Sequence, residues 1–457
     1  MFSQRVPRNT FIISFGFFFM YSAFDSMADI EESIIEGFKA DGNSFSGSGY
    51  YVLSVFNVSF AVCAFFTPIL MEMLGFKPGL FLCSVVFTLF MAAHIYPVTI
   101  VVYSSAVLIG LCTSLLWSTG FALLSISCLQ EHIALNATIF YLTAQLSYAL
   151  GSLYIFVVLF LDPSSADHVS NKSRIISVSG FTLFSTVGLI TFQLASVPQN
   201  ITSGRRSYDL AGFKQLLLRS FKTGFALGKD INFTCICVIF LFTGLSQSFM
   251  TGVYNTSIAH TLAFNGNKVD SKAMVGLSGV ALGCGEVLSG LFKVFLLSNS
   301  SNISRRMRLC VAAFITFNVS HLLILLNLPD ETPYQDSYGE GYIASSPNPY
   351  IAVICSFLIG LADFVYQSEL FATIGEIGGS NEAITGTATV FYSFLQGIGG
   401  MSAFLYAGST GLLFQISILA ALNFVSVLIF LFRDKSSQYP DQGSTSQLLS
   451  ESESEQE

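Results

Sequence analysis

Charge is what this chain has least of: Asp, Glu, Lys and Arg make up only 11% of its 457 residues, against 52% hydrophobic. A soluble protein of this length needs several domain surfaces covered in charge, so that class is excluded. The net charge of −8 leaves no basic surface for a nucleic acid. The five histidines are scattered, and all nine cysteines lie inside or at the ends of apolar runs. Neither a metal-ligand spacing nor a disulfide framework is therefore implied. No GxGxxG after a strand, no Walker sequence and no HExxH occurs, so no cofactor and no enzymatic constellation is expected.

What the chain does have is apolar runs of a repeated length. Runs of roughly 20 apolar residues match the hydrocarbon thickness of a bilayer when wound as helices. They fall at 10–30, 50–74, 78–96, 98–124, 136–161, 175–195, 231–254, 275–297, 309–328, 349–374, 385–408 and 410–432. Mean hydropathy is +0.65. The expected class is an all-α membrane protein with twelve transmembrane helices, and the lipid bilayer is its first partner. Arg5 and Arg8 precede the first run without a small-residue cleavage site after it, so that run reads as an uncleaved anchor.

Twelve spans place both termini on one side. The even connections and the termini carry fourteen basic residues and the odd connections five, a positive-inside bias that predicts cytoplasmic termini. The longest interior connection, 196–230, divides the chain into a six-helix half at 1–195 and another at 231–432. Its stretch 211–225 sets Phe213, Leu217 and Phe221 against Lys214, Arg219 and Lys222, the pattern of a helix lying on an anionic leaflet. Residues 433–457 form an acidic tail too polar to fold alone.

Six helices plus six is the layout of the major facilitator fold, whose halves are related repeats. One echo supports it: Leu108-Ile109-Gly110-Leu111 in the fourth span recurs as Leu358-Ile359-Gly360-Leu361 in the tenth. The turn after the second span, with Glu72, Gly75 and Lys77, follows the acid–glycine–base pattern of that fold, although Pro68 replaces the usual preceding glycine.

Polar residues inside a membrane are costly, so those that persist face the bundle interior. Tyr21, Asp25 and Asp29 recur every four residues on one face of the first span. Asp29 is expected near the interface. Trp117 lies in the fourth span, Gln145 in the fifth, Gln247 and Tyr254 in the seventh, and Asp363 with Gln367 in the tenth. These eight, leaving out Asp29, are the expected lining of a substrate cavity; for Trp117, packing is the competing role. Glu286, flanked by Gly283 and Gly285 near the expected midplane of the eighth span, and Asp363 are expected to exchange protons, with a purely structural hydrogen bond as the alternative. Lys293 is expected to snorkel to the surface. Among the Asn-x-Ser/Thr sequences, Asn171 is the expected glycan acceptor, with Asn255 closer to the membrane.

At these motifs the chain resembles the uncoordinated-93-like branch of the major facilitator superfamily. The resemblance is carried by Gly47-Ser48-Gly49-Tyr50, Thr67-Pro68 with Gly75, Leu116-Trp117, and Asn136 with Ile139-Phe140, Gln145 and Gly151. It continues through Phe242-Thr243-Gly244-Leu245, Gly252-Val253-Tyr254, Gly276-Leu277-Ser278-Gly279, Gly285-Glu286-Val287-Leu288 and Gly360 with Asp363. The chain departs from that pattern at Asp25, Ser118-Thr119 and Ser246. The resemblance implies a transporter-like fold in a family that also holds channel-regulating and receptor-trafficking members. Two functions are therefore expected: secondary transport of a small solute by alternating access, or regulation of another membrane protein.

Overall fold

The computed structural model describes residues 6–128, 132–162, 168–196, 222, 227–267, 270–297, 303–342, 346–378 and 382–437. Most of the connection 196–230, with its amphipathic stretch, and the tail beyond 437 lie outside the described residues.

The described residues are almost wholly helical. The first half comprises α1 (Arg8–Ala40), α2 (Gly49–Ala64), α3 (Thr67–Leu74), α4 (Phe76–Ala93), α5 (Thr99–Ser127), α6 (Ile133–Phe160) and α7 (Asn171–Gln193). The second comprises α8 (Ile231–Ser248), a π-helical turn at Phe249–Val253, α9 (Tyr254–His260), α10 (Ser271–Leu297), α11 (Ile303–Asn327), α12 (Pro349–Gly378), α13 (Glu382–Ala407) and α14 (Leu412–Ser437). Among the described residues eleven helices are long and apolar enough to cross a membrane, or twelve when α2 and α3, bent by 75°, count as one broken span. Pro68 explains the break: it has no N–H to donate, and Thr67 Oγ1 bonds the Cys63 carbonyl at 3.0 Å beside the gap. Large apolar side chains such as Leu89, Ile100, Leu183 and Leu322 are exposed around the bundle, as a lipid-facing surface requires.

The two halves repeat each other in how their helices pair. In the first, α1 packs on α6 and α7, α4 on α5 and α7, and α2 on α5. In the second, α8 packs on α13 and α14, α11 on α12 and α14, and α10 on α12. The halves meet through α2 against α13 and α6 against α10. The sequence echo marks this symmetry. A Cβ on Gly110 would collide with the Phe56 carbonyl of α2, and a Cβ on Gly360 with the Leu282 carbonyl of α10. Each glycine lets the fourth span of its half approach the second to backbone contact.

Of the boundaries that differ from expectation, three bear on the site or the ends of the chain. The first span does not stop at residue 30 but continues as helix to Ala40 through Glu31, Glu32 and Glu36. Those carboxylates are tolerated because each is matched: Glu31 with His94 at 2.8 Å, Glu32 with the Tyr50 N–H at 2.8 Å, and Glu36 with His260 at 2.8 Å. The seventh span reaches His260 through its π turn, six residues beyond the expected end. The last helix continues to Ser437, so the start of the acidic tail is helical.

Candidate functional site: carboxylates between the halves

The polar stripe on α1 and the helices facing it form the centre of the molecule. Asp25 is half-buried and has no hydrogen bond or ion pair among the described residues. Glu286 on α10 and Asp363 on α12 are 4% and 3% exposed. Glu286 lies within electrostatic reach of Asp363, Asp25 and Asp29, so the structure gathers four carboxylates from α1, α10 and α12. Among the described residues no Lys, Arg or His acts on any of the four.

Asp29 is a correction to the expected interfacial placement, since it is 1% exposed and inside the bundle. Tyr148 Oη donates to its Oδ1 and Ser152 Oγ approaches Oδ2 at 3.5 Å. From Tyr148 the network crosses the boundary between halves. Asn255 Nδ2 donates to Tyr148 Oη at 3.4 Å, Ser278 Oγ donates to Asn255 Oδ1 at 2.8 Å, and Ser278 meets Ser356 at 2.7 Å. One chain of polar groups thus joins α1, α6, α9, α10 and α12. The sequence reading missed Tyr148, Ser278 and Ser356, which look like ordinary polar substitutions in apolar runs. It treated Asn255 as a glycosylation sequence; the structure buries that side chain and engages both of its polar atoms.

A second polar chain runs along the other side. Asp363 lies beside Gln367, Tyr392 Oη donates to Gln367 Oε1 at 2.7 Å, and Gln396 Nε2 donates to Gln247 Oε1 at 3.0 Å. Tyr392 and Gln396, both on α13, were not anticipated, because that run carries no charge to draw attention. Gln247 is exposed, and Asp25, Gln145, Trp117, Gln367 and Gln396 are half-buried. These polar groups are thus only partly withdrawn from solvent although they lie within apolar helices.

Aromatic rings form the wall next to Asp25. Tyr21, one turn before it, lies 5.3 Å from Trp117 between ring centroids. Trp117 continues to Phe121 and Tyr141, and Tyr141 reaches Phe371 of the opposite half at 5.5 Å. Tyr21 is 7% exposed, and its hydroxyl, beside Asp25 and the Trp117 indole, completes no hydrogen bond. Trp117 therefore packs on one side and stays accessible on the other.

Several expected site residues are not brought to this centre. Tyr254 is fully enclosed, and its hydroxyl donates to the Ala352 carbonyl at 2.8 Å, so it ties the seventh span to α12 instead of lining the cavity. Glu72 and Lys77 are both exposed and form no ion pair with each other, although Gly75 between them holds a positive φ of 75°. Asn171 is exposed at the first turn of α7, where its Oδ1 accepts from Arg174. Lys293 does not snorkel: it pairs at 2.7 Å with buried Glu369 of α12.

A cavity of about 380 Å³ lies away from the centre, at the end of α1, lined by Glu36, Lys39, His260 and Lys272 among others. The contact between Glu36 and His260 in its wall joins the halves there, as does that of Tyr50 Oη with the Pro333 carbonyl at 2.7 Å. Among the described residues no group of three or more His, Cys, Asp or Glu is placed to hold a metal ion.

Comparison with known proteins agrees with this architecture. The chain is 26% identical over 441 residues to UNC93-like protein MFSD11 of Xenopus laevis, covering 94% of this chain and 96% of that protein. It is 27% identical to UNC93-like protein MFSD11 of Xenopus tropicalis, with the same coverage. Among solved structures it resembles peptide transporter POT in complex with sulfate, with a TM-score of 0.65, 12% identity and 93% of each chain covered. It also resembles nucleoside transporter NupG, with a TM-score of 0.61, 14% identity, and 93% and 98% of the two chains covered. At such identities the structural likeness establishes the major facilitator fold alone. Residues 42–431 match the model of the family described as ion channel regulatory protein UNC-93, and the chain belongs to that family.

Proposed function

We propose that this protein is a secondary transporter of a small solute, working by alternating access and coupled to protons through Glu286 and Asp363. The observation that supports the reading is the group of buried carboxylates between the halves on which, among the described residues, no cationic side chain acts. An ionised carboxylate without a counter-charge is costly in such an interior, so it must gain a proton or a bound cation at some point in any cycle. On this reading the solute site takes in Asp25, Trp117, Gln145, Gln247 and Gln367, and the reading is supported by their partial or full exposure. The π turn at Phe249–Val253, directly after Gln247, is the hinge on this reading, since such turns interrupt regular helix near working sites.

The orientation that accompanies the reading places both termini in the cytoplasm, the Glu36 end outside, and a glycan on Asn171. The units are the halves 1–195 and 231–432, the cytoplasmic connection 196–230 and the tail 433–457. No catalytic role is assigned to any residue.

The test is proton flux in proteoliposomes. Glu286→Gln and Asp363→Asn, at equal incorporation, should abolish proton-linked solute movement while leaving exchange of solute intact. Wild-type flux in both variants would remove the coupling role. A second reading, regulation of another membrane protein, is favoured by the description of the matching family. Co-purification of one stoichiometric membrane protein, with no solute moved by the reconstituted chain, would decide for it.

A further inference from the structure

We propose that the solute is an organic cation, a protonated amine or quaternary ammonium, held between the Asp25 carboxylate and the aromatic wall of Tyr21 and Trp117. The inference rests on the reading of the central cavity as a solute site and names what that site takes.

Asp25, Asp29 and Asp363 lie within electrostatic reach of Glu286 between the halves, and among the described residues no Lys, Arg or His acts on any of the four. A carboxylate or phosphate solute would enter a purely acidic surrounding with nothing to neutralise it, and like charges at close range repel strongly in a low-dielectric interior. A neutral solute would leave the carboxylates as they are. A cation supplies the missing counter-charge.

Among the four, Asp25 is the one prepared to meet it. Asp29 is already engaged by Tyr148 and Ser152. Asp363 has Gln367 beside it, and Glu286 is almost enclosed. Asp25 is more accessible than these and has no hydrogen-bond partner among the described residues.

An independent feature points to the same place. The Tyr21 hydroxyl is buried with its residue 7% exposed, and beside the Trp117 indole it completes no hydrogen bond among the described residues. A buried polar atom left unpaired is unfavourable unless a ligand satisfies it. Its ring lies 5.3 Å from that of Trp117, which remains half-buried. Aromatic faces carry partial negative charge and attract ammonium groups, most strongly for Trp. Carboxylate, unpaired hydroxyl and aromatic face converge within one turn of α1 and the facing turn of α5.

The experiment is equilibrium binding to the full-length protein purified in detergent. The probes are benzyltrimethylammonium and phenethylammonium, with benzyl alcohol as the neutral counterpart and benzoate as the anionic one. Both cations should bind saturably, at least tenfold more tightly than benzyl alcohol or benzoate. Asp25→Asn should weaken cation binding by at least tenfold and Trp117→Ala by several fold, with Trp117→Phe restoring part of it. Unchanged elution and thermal unfolding of Asp25→Asn will confirm that the fold persists. Should Asp25→Asn not fold, Trp117→Phe and Tyr21→Phe carry the test, since both keep the packing.

Failure to bind either cation, binding of benzoate or benzyl alcohol at equal strength, or cation binding indifferent to Asp25 and Trp117 would overturn the inference. The transport reading fails differently. Saturable cation binding without any movement across proteoliposomes would keep the site and remove transport, whereas proton-linked movement of a neutral or anionic solute would keep transport and remove the cation.

Discussion

Glu36, near the end of α1, and His260, at the end of α9, meet at 2.8 Å across the boundary between the two halves. His260 is held from behind as well, its Nδ1 lying 2.9 Å from the Thr332 carbonyl. The adjoining backbone is pinned by the Ser337 N–H donating to the His260 carbonyl at 2.8 Å. The pair therefore joins α1 to a firmly seated helix end. Any motion that parts the halves at this end must break it.

The first prediction follows from that geometry. The Glu36 side chain is 39% exposed, so water screens the pair and its contribution is about 1 kcal/mol or less. His260→Ala should speed amide hydrogen exchange in 254–260 by about fivefold, the factor to which about 1 kcal/mol corresponds. Glu36→Gln, which keeps a hydrogen-bonding oxygen, should have a smaller effect. Unchanged exchange in both variants would show that this contact does not hold the halves together.

The second prediction concerns the paired glycines. An Ala at Gly360 would drive its Cβ into the Leu282 carbonyl, and an Ala at Gly110 would meet the Phe56 carbonyl and Ser59. The obstructing atoms are largely backbone, which cannot rotate away, so each variant should lose about 1–3 kcal/mol, the usual range for overpacking. Gly386, where an added methyl would meet no neighbour within 4 Å, provides the control in the same kind of helix. Thermal unfolding in detergent reads the difference, and a Gly360→Ala protein as stable as Gly386→Ala would refute the close-approach role.

Much of the fold was legible because bilayer thickness sets run length, and the echo around Gly110 and Gly360 marked the repeat before any contact was known. The centre was legible in part. Asp25, Glu286 and Asp363 stand out since isolated acids in apolar runs have few innocent explanations. The rest was hidden for physical reasons. Glu31, Glu32 and Glu36 look like a loop because their partners, His94, Tyr50 and His260, come from distant segments. Tyr254 has the composition of a cavity residue, but the direction in which its hydroxyl points depends on how α9 follows the π turn, which hydropathy does not encode. Ser278 and Asn255 are polar in a way common to many helices, and only their juxtaposition makes them a network.

The third prediction is a pH dependence at His94, which lies just beyond the end of α4 and is fully buried. Burial acts to lower its pKa. The Glu31 charge and hydrogen bond and the Phe90 carbonyl outweigh it, and the pKa is raised above the ordinary histidine value. Both ring nitrogens face acceptors, Glu31 Oε1 at 2.8 Å and the Phe90 carbonyl at 2.9 Å, so the doubly protonated ring satisfies both. Since the folded value exceeds the unfolded one, the stabilisation is fully present below the ordinary histidine pKa of about 6.5 and is lost as pH rises through the raised value. Thermal unfolding should fall on moving upward through that window, and His94→Gln should flatten this component. An identical pH profile in His94→Gln would exclude the pair as its source.

The last prediction takes the ion pair that the sequence reading placed at the surface. Lys293 of α10 lies 2.7 Å from Glu369 of α12, with side chains 15% and 3% exposed, and it also donates to Ser368 Oγ at 2.6 Å. Two charges withdrawn this far from water stabilise little as a pair, but removing one leaves the other without its counter-charge at a cost of about 3–5 kcal/mol. Lys293→Met should therefore be strongly destabilising. Lys293→Met combined with Glu369→Gln should recover much of the loss, because the amide carries no charge to strand. Lys293→Arg should not substitute fully, since its planar head demands a different geometry from a compact ammonium. Thermal unfolding of the single and double variants at matched detergent concentration gives the coupling directly. Additive losses, with the double variant worse than Lys293→Met alone, would mean that the two side chains act separately and that the short contact carries no coupling between α10 and α12.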